Sequence, residues 1–420
     1  MNNTQKALLS GIICNIVIWY EVTLFGSLTY ITKSVFFYSE SYYADTIKFL
    51  LVFAIGFFFR PVGAFIFGYI ADRFGRRKSL LISISIATLV STSIAFIPGV
   101  KEIGILSSLL MLFCRIMQGI SAGGETGVNS AFLIENSVDK KDLGFLGSMK
   151  PFSGSIGSIS CFIMIYLCQK LTGDNYEIWG WRILLSFCFI IGLIGFLMRY
   201  SIDDSLAYKV QSKNNNLSLA PFSELISDYK SVFFLATGLG IAQNAIVYSL
   251  VMFYNTSVIS VFISGFDMKS IIRIVVDVVF GISAIMFAIL SDKIGRNRII
   301  IPVLILFSSA SGLIFYLMSF NSLYVVSIAF LLTSIPLGAS FGVYNSIVCE
   351  LLPTRVRCIG FSLAHNISAG IFGGISPSVC IYLIEKTGTK IASGVYLSIC
   401  ALVSLICMLK INSKDKKIDW

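Results

Sequence analysis

Gly68-Tyr69-Ile70-Ala71-Asp72-Arg73-Phe74-Gly75-Arg76-Arg77 recurs about half a chain later as Ala288-Ile289-Leu290-Ser291-Asp292-Lys293-Ile294-Gly295-Arg296-Asn297-Arg298. Each copy closes an apolar segment with an acid, a glycine and a basic cluster. Self-similarity over such a distance marks a duplicated architecture and is read before any single site. Because Lys and Arg cluster on one side of a membrane, the two copies imply two related units in the same orientation.

Composition supplies the solvent. Of the 420 residues, 56% are hydrophobic and only 13% charged, against roughly a quarter charged in soluble domains, and the mean hydropathy is +0.85. A helix needs about 20 predominantly apolar residues to cross the hydrocarbon of a bilayer, and such runs follow one another almost end to end. Lipid offers backbone groups no partners, so only helices or a closed barrel can span it. Unbroken stretches such as 183–197 lack barrel alternation, which leaves helices.

Twelve spans are expected, near 7–30, 47–71, 79–97, 103–135, 143–169, 179–200, 231–255, 268–290, 298–319, 322–349, 356–384 and 389–410. The fold class is therefore all-α integral membrane, with two pseudo-symmetric six-helix bundles. Residues 1–200 and 231–420 form the bundles. The polar stretch 201–230, with Asp203, Asp204, Lys209, Lys213 and the run Asn214-Asn215-Asn216, joins them. Basic residues mark the even junctions: Arg73, Arg76, Arg77 and Lys78; Lys140 and Lys141; Lys293, Arg296 and Arg298; Arg355 and Arg357. The odd junctions are poorer, with Lys33, Lys48 and Lys101. Both termini are thus expected in the cytoplasm. The first apolar segment is too long for a cleaved leader and reads as a spanning helix.

The net charge of +10 belongs to these loops, and no dense basic block points to nucleic acid. Ten cysteines are scattered singly inside apolar runs with no metal-like spacing, so they read as small core residues. No metal and no cofactor are expected.

The motif G-x-x-x-D-R-x-G-R-R is the hallmark of the major facilitator superfamily. Arg60-Pro61, Arg115 with Gln118-Gly119 and Gly123-Gly124-Glu125, Trp179 to Arg182, Glu350 to Arg357, Asn366-Ile367 and Gly373-Gly374 with Pro377 resemble the metabolite:proton symporter family within it, in particular the proline/glycine-betaine transporter type. The resemblance covers nearly the whole chain. It implies alternating-access symport of a small polar metabolite and a proton across the bacterial inner (cytoplasmic) membrane, with a solute site between the bundles near mid-depth. The expected partners are a small-molecule substrate, a proton and the bilayer; a monomer suffices.

Gly68, Asp72, Arg73, Gly75, Arg76 and Arg77, with Asp292, Gly295, Arg296, Glu350, Arg355 and Arg357, form the candidate gate. Acids and guanidinium groups at helix ends can bridge neighbouring helices and helix termini, or they can simply satisfy the positive-inside bias. Ionisable residues inside apolar spans are costly and face a cavity, pair, or carry protons; Glu21, Arg60, Arg115, Glu125 and Lys150 belong to this group. The family's first-span pattern carries two acids, whereas here Ile18 replaces the first and Glu21 stands in the position of the second. Glu125 follows two glycines in span four, beside Asn129, and is the first choice for the coupling acid; the alternative is a fixed ion pair with Arg115 or Lys150. Arg115 is assigned to the cytoplasmic half of the cavity. Arg273 and Asp277, four residues apart on span eight, share a helix face; the family pattern does not include them, and they either neutralise each other or contact substrate. His365, the single histidine, packs or relays a proton beside Asn366. Trp19 and Tyr20 form either an aromatic wall for a quaternary ammonium group or interface anchors. Gly154 and Gly157 after Pro151, and Gly370, Gly373 and Gly374, allow hinges or close packing.

The chain has no phosphate-cradling G-x-x-x-x-G-K-S/T loop for an ATP-driven pump, and no clustered His, Asp or Cys of a membrane enzyme. Proline or betaine is the substrate type the resemblance implies. The alternatives are a dicarboxylate or other organic acid held by Arg60, Arg115 or Lys150, or a uniporter, exchanger or transporter-derived sensor on the same fold.

Overall fold

The structure is a computed structural model that describes residues 3–37, 55–137, 141–261, 266–320 and 322–411. Lys48, Lys140 and the first residues of the expected second span lie outside the described residues. Among the described residues, twelve helices are long and apolar enough to cross a membrane. In chain order, spans one to six are Gln5–Ser27, Ile55–Phe74, Arg76–Ile94, Ile105–Glu135, Leu143–Tyr176 and Gly180–Tyr200. Spans seven to twelve are Lys230–Leu250, Ile271–Ile294, Asn297–Leu317, Tyr324–Leu351, Arg357–Thr387 and Ile391–Lys410. Each of the twelve expected segments is a helix.

The motif glycines explain how the chain turns. Gly75 sits at φ 107° and Gly295 at φ 99°, backbone that costs a residue with a Cβ dearly. Both copies therefore break the helix at the same place and start the next span at once. Where the sequence reads as one polar linker, segment 201–229 folds into two short helices, Leu206–Lys213 and Pro221–Asp228. The first is capped by Ser205, whose hydroxyl accepts from the backbone N–H of Tyr208.

Packing follows the duplication. Span two packs against span eleven, and span five against span eight, so in each half the second helix meets the fifth helix of the other. Close approach at these crossings is built from small residues: a Cβ on Gly68 would lie 2.6 Å from Ile359 Cα, and one on Gly144 would lie 2.7 Å from the Ala288 carbonyl oxygen. Spans three, six, nine and twelve complete each bundle on the outside, span three against span six and span nine against span twelve. Isolated apolar residues exposed on these faces, such as Leu193 and Leu402, are what a bilayer covers.

Candidate functional site

At the end of the molecule that carries the motif, two crossed clasps join the halves. The Asp72 carboxylate accepts hydrogen bonds from the backbone N–H groups of Cys358 (3.1 Å) and Ile359 (2.9 Å) at the start of span eleven. In the other copy, Asp292 accepts from Gly144 (2.8 Å) and Phe145 (2.9 Å) at the start of span five. An acid at a helix N-terminus meets both unsatisfied donors and the positive end of the dipole. A guanidinium then ties each acid to the fourth helix of its own half. Arg76 bridges Asp72 and Glu135, with 2.9 Å to Glu135, and Arg296 bridges Asp292 (2.6 Å) and Glu350 (2.9 Å). Glu135 also receives Arg357 of the other half at 2.8 Å, and Arg76 donates to the Thr354 carbonyl at 2.6 Å. The motif end is closed.

Three of the expected gate residues do other work. Arg73 contacts Tyr69 and the Leu219 carbonyl, and Arg77 the Tyr200 carbonyl; Arg355 pairs with Glu224 of the second short helix. They fasten segment 201–229 beneath the bundle. Glu135 escaped sequence reading although the duplication could have found it: it ends span four as Glu350 ends span ten.

Between the halves lies a cavity of about 140 Å³, lined by spans one, two, four and five and by spans seven, eight, ten and eleven. Trp19, Arg60, Glu125, Lys150, Arg273, Asp277 and His365 all line it. Asp277 stands fifteen residues before Asp292, so these groups lie about 20 Å from the latch at 1.5 Å per residue.

Charges in its wall divide into paired and unpaired. Arg273 Nε contacts Asp277 Oδ2 at 3.2 Å. Glu125 pairs with Arg199 at 3.2 Å and accepts from Ser83 Oγ at 2.9 Å. Its partner is therefore neither Arg115 nor Lys150, because Arg199, at the end of span six, turns inward where the sequence reads as an interfacial cation; Arg199 also donates to Asn129 Oδ1 at 3.2 Å. Arg60 donates to the Tyr248 hydroxyl at 3.0 Å and stacks over Phe57 at 4.2 Å. Lys150 lies 5.6 Å from the Phe361 ring centroid. Neither Arg60 nor Lys150 has a carboxylate within ion-pair distance among the described residues. His365, whose Nδ1 makes no hydrogen bond, completes a basic group with them, the three within electrostatic reach of one another.

Other candidates fall outside the cavity. Arg115 sits at the end of the molecule away from the motif, over the Phe25 ring at 3.6 Å and bonded to Gln118 at 2.8 Å. The expected cytoplasmic-half placement is corrected by chain direction: span four runs toward the motif, so residues before Glu125 lie on the far side. Tyr20 is buried against Phe187 inside the first bundle; adjacent helical residues point about 100° apart, so the wall expected of Trp19 and Tyr20 keeps only Trp19. Glu21 is buried with Oε1 unpartnered. Asn129 bonds the Gly11 carbonyl at 3.0 Å, and Asn366 clamps span eleven to Gly123 of span four at 2.9 Å. Asn15, which bonds the Lys150 carbonyl (2.7 Å) and Ser153 (2.8 Å), lines the cavity without having been anticipated. Gly370 and Gly373 fall in a π-helical stretch, Ser368–Gly373, that interrupts span eleven.

Twelve helices in two crossed bundles around a polar mid-depth cavity define a membrane transporter. Residues 8–219 match the family described as sugar (and other) transporter, and the chain belongs to this family of the major facilitator superfamily. It is 28% identical over 418 residues to the proline/betaine transporter of Escherichia coli K12, spanning 96% of this chain and 82% of that one. It is 29% identical over 401 residues to the citrate-proton symporter of Salmonella typhi, spanning 92% and 89%. Among solved structures, the proton:xylose symporter XylE bound to 6-bromo-6-deoxy-D-glucose superposes with a TM-score of 0.81 at 16% identity, over 97% of this chain and 96% of that one.

Proposed function

We propose that the protein imports a small organic acid anion together with a proton across the bacterial inner membrane. Residues 1–200 and 231–420 rock as two bodies about the cavity, joined by 201–230, with the latch and both termini in the cytoplasm. One observation carries the substrate class. With Arg273 matched by Asp277 and Glu125 by Arg199, the wall still presents Arg60 and Lys150 with no acid of their own. Burying uncompensated cations costs several kcal/mol each unless an anion arrives, and guanidinium and ammonium groups are the usual receivers of carboxylates. Proton coupling is supported by the acids in the wall and by the named citrate-proton relative.

A second reading, proline or betaine, is favoured by the relatives of that name and by Trp19 in the wall. A quaternary ammonium group needs several ring faces; Tyr20 supplies none, whereas Tyr248, Phe280, Phe330 and Phe341 line the cavity with Trp19. Uptake of labelled citrate, succinate, proline and glycine betaine into proteoliposomes with an acid exterior tests both. Accumulation of an organic acid, collapsing when the pH gradient is dissipated, is expected. Accumulation of only the zwitterions would reverse the choice, and no gradient dependence would leave a uniporter or exchanger.

A further inference from the structure

Among the described residues, three acids are embedded in the spans away from the latch, Glu21, Glu125 and Asp277, and they differ in how firmly they are held. Glu125 is 1% exposed and keeps both Arg199 and Ser83. Glu21 is outside the cavity. Asp277 lines the cavity and is held by one partner, Arg273, which is itself partly exposed to the cavity. Among the described residues its surroundings hold no substitute. Span five brings Lys150 to the cavity; span ten brings only Phe330, Ser334, Leu337, Phe341 and Asn345, with Glu350 at the latch; span nine carries Arg298 at the latch end and the outward Tyr316. None of these, nor Arg60, Glu125 or His365, pairs with Asp277.

We propose that Arg273 and Asp277 are an exchangeable ion pair that makes transport proton-coupled: a substrate carboxylate takes Arg273, and the released Asp277 takes a proton. The inference rests on the organic-anion reading above. In the step, the Arg273–Asp277 contact is replaced by an Arg273–substrate contact, and an O–H bond forms on Asp277 with a proton from water on the open side; opening to the other side reverses both. Arg273 meets Asp277 through a single 3.2 Å contact, so a substrate carboxylate that takes the guanidinium leaves Asp277 without a cation, and a carboxylate left unpaired in a low-dielectric wall is stable only when neutral. Substrate and proton thus promote each other's binding by the same factor. The chemistry also selects the substrate. Arg60 and Lys150 stand on the first half and Arg273 on the second, so a molecule with two carboxylates can engage both halves, whereas a monocarboxylate reaches one.

Calorimetric titration of the purified full chain with citrate and with succinate, in two buffers of different ionisation enthalpy, counts protons taken up on binding. Wild type is expected to take up about one proton per ligand, whereas Asp277→Asn still binds but takes up none. Infrared difference spectra of wild type should show a carboxylic-acid band appearing with citrate, which supports the step even if Asp277→Asn does not fold. Proton uptake by Asp277→Asn equal to wild type, or a wild-type spectrum without that band, overturns the exchange while leaving the anion reading intact. Failure of wild type to bind any organic acid sinks the anion reading itself.

Discussion

The latch and the cavity are both buried and both charged, yet they spend their charges differently. At the latch Asp72 has two backbone donors and Arg76, Asp292 two backbone donors and Arg296, and Glu135 the two guanidinium groups of Arg76 and Arg357 with Ser205. In the cavity Glu125 is held by Arg199 and Ser83, but Asp277 has one partner and Lys150 no carboxylate within ion-pair distance among the described residues. A multiply bonded group is fixed until the whole cluster parts, which suits a two-position clasp. A sparsely bonded one can trade its partner for a ligand. The same residue types, at similar burial, thus serve as a lock in one place and as a binding surface in the other.

The sharpest way to break that contrast is to remove a shared latch acid. Glu135→Ala leaves Arg76 with Asp72 as its acid and takes Glu135 from Arg357, both guanidinium groups being fully buried, and losing one partner of a buried pair costs about 3–5 kcal/mol. The closed state should lose at least a hundredfold in population, read as faster modification of buried Cys358 by a thiol reagent from the latch side. Unchanged labelling would mean the cluster is not a lock. Next in size, Lys150→Gln should raise the KM for an organic acid at least tenfold, about 1.4 kcal/mol, with the latch unaffected; an unchanged KM would take Lys150 out of the binding surface. Asp72→Asn and Asp292→Asn each remove one of the two acids on Arg76 or Arg296, which keep Glu135 and Glu350, and weaken a helix-terminus contact worth roughly 0.3–1 kcal/mol. Cys358 should then label a few-fold faster in either variant, and a response from Asp72→Asn alone would show that the two clasps are not equivalent.

Much of this was legible in the sequence, for reasons that differ by region. The duplicated motif and the apolar runs repeat physical constraints at fixed spacing, so the helices, the glycine breaks and the Asp72 and Asp292 positions could be read in advance. The partners could not. Arg199 stands beside Tyr200 at a helix end, where a cation normally points to the interface, and only packing against span four turns it to Glu125. Tyr20 and Trp19 are neighbours in sequence but face a bundle core and a cavity, a rotation no composition reveals. Arg115 was misplaced although the direction of span four was already implied by the basic loops.

The smallest effect separates the latch from the segment fastened beneath it. Asp204, outside the spans, accepts from the backbone N–H groups of Arg76 at 3.0 Å and Ser205 at 2.9 Å, yet burial raises its carboxyl above the ordinary aspartate range in spite of Arg76 nearby. A carboxyl whose folded pKa exceeds its unfolded one stabilises the fold fully below the unfolded value, and that contribution is lost as pH rises through the folded value. Asn at this position can still accept from both donors but does not titrate. Asp204→Asn should therefore change stability by less than about 1 kcal/mol, and its melting temperature should gain on wild type as pH is raised from about 4 toward neutral. A difference that shrinks over that interval would mean the ionised carboxylate is a favoured partner of Arg76, and that the latch extends into segment 201–229.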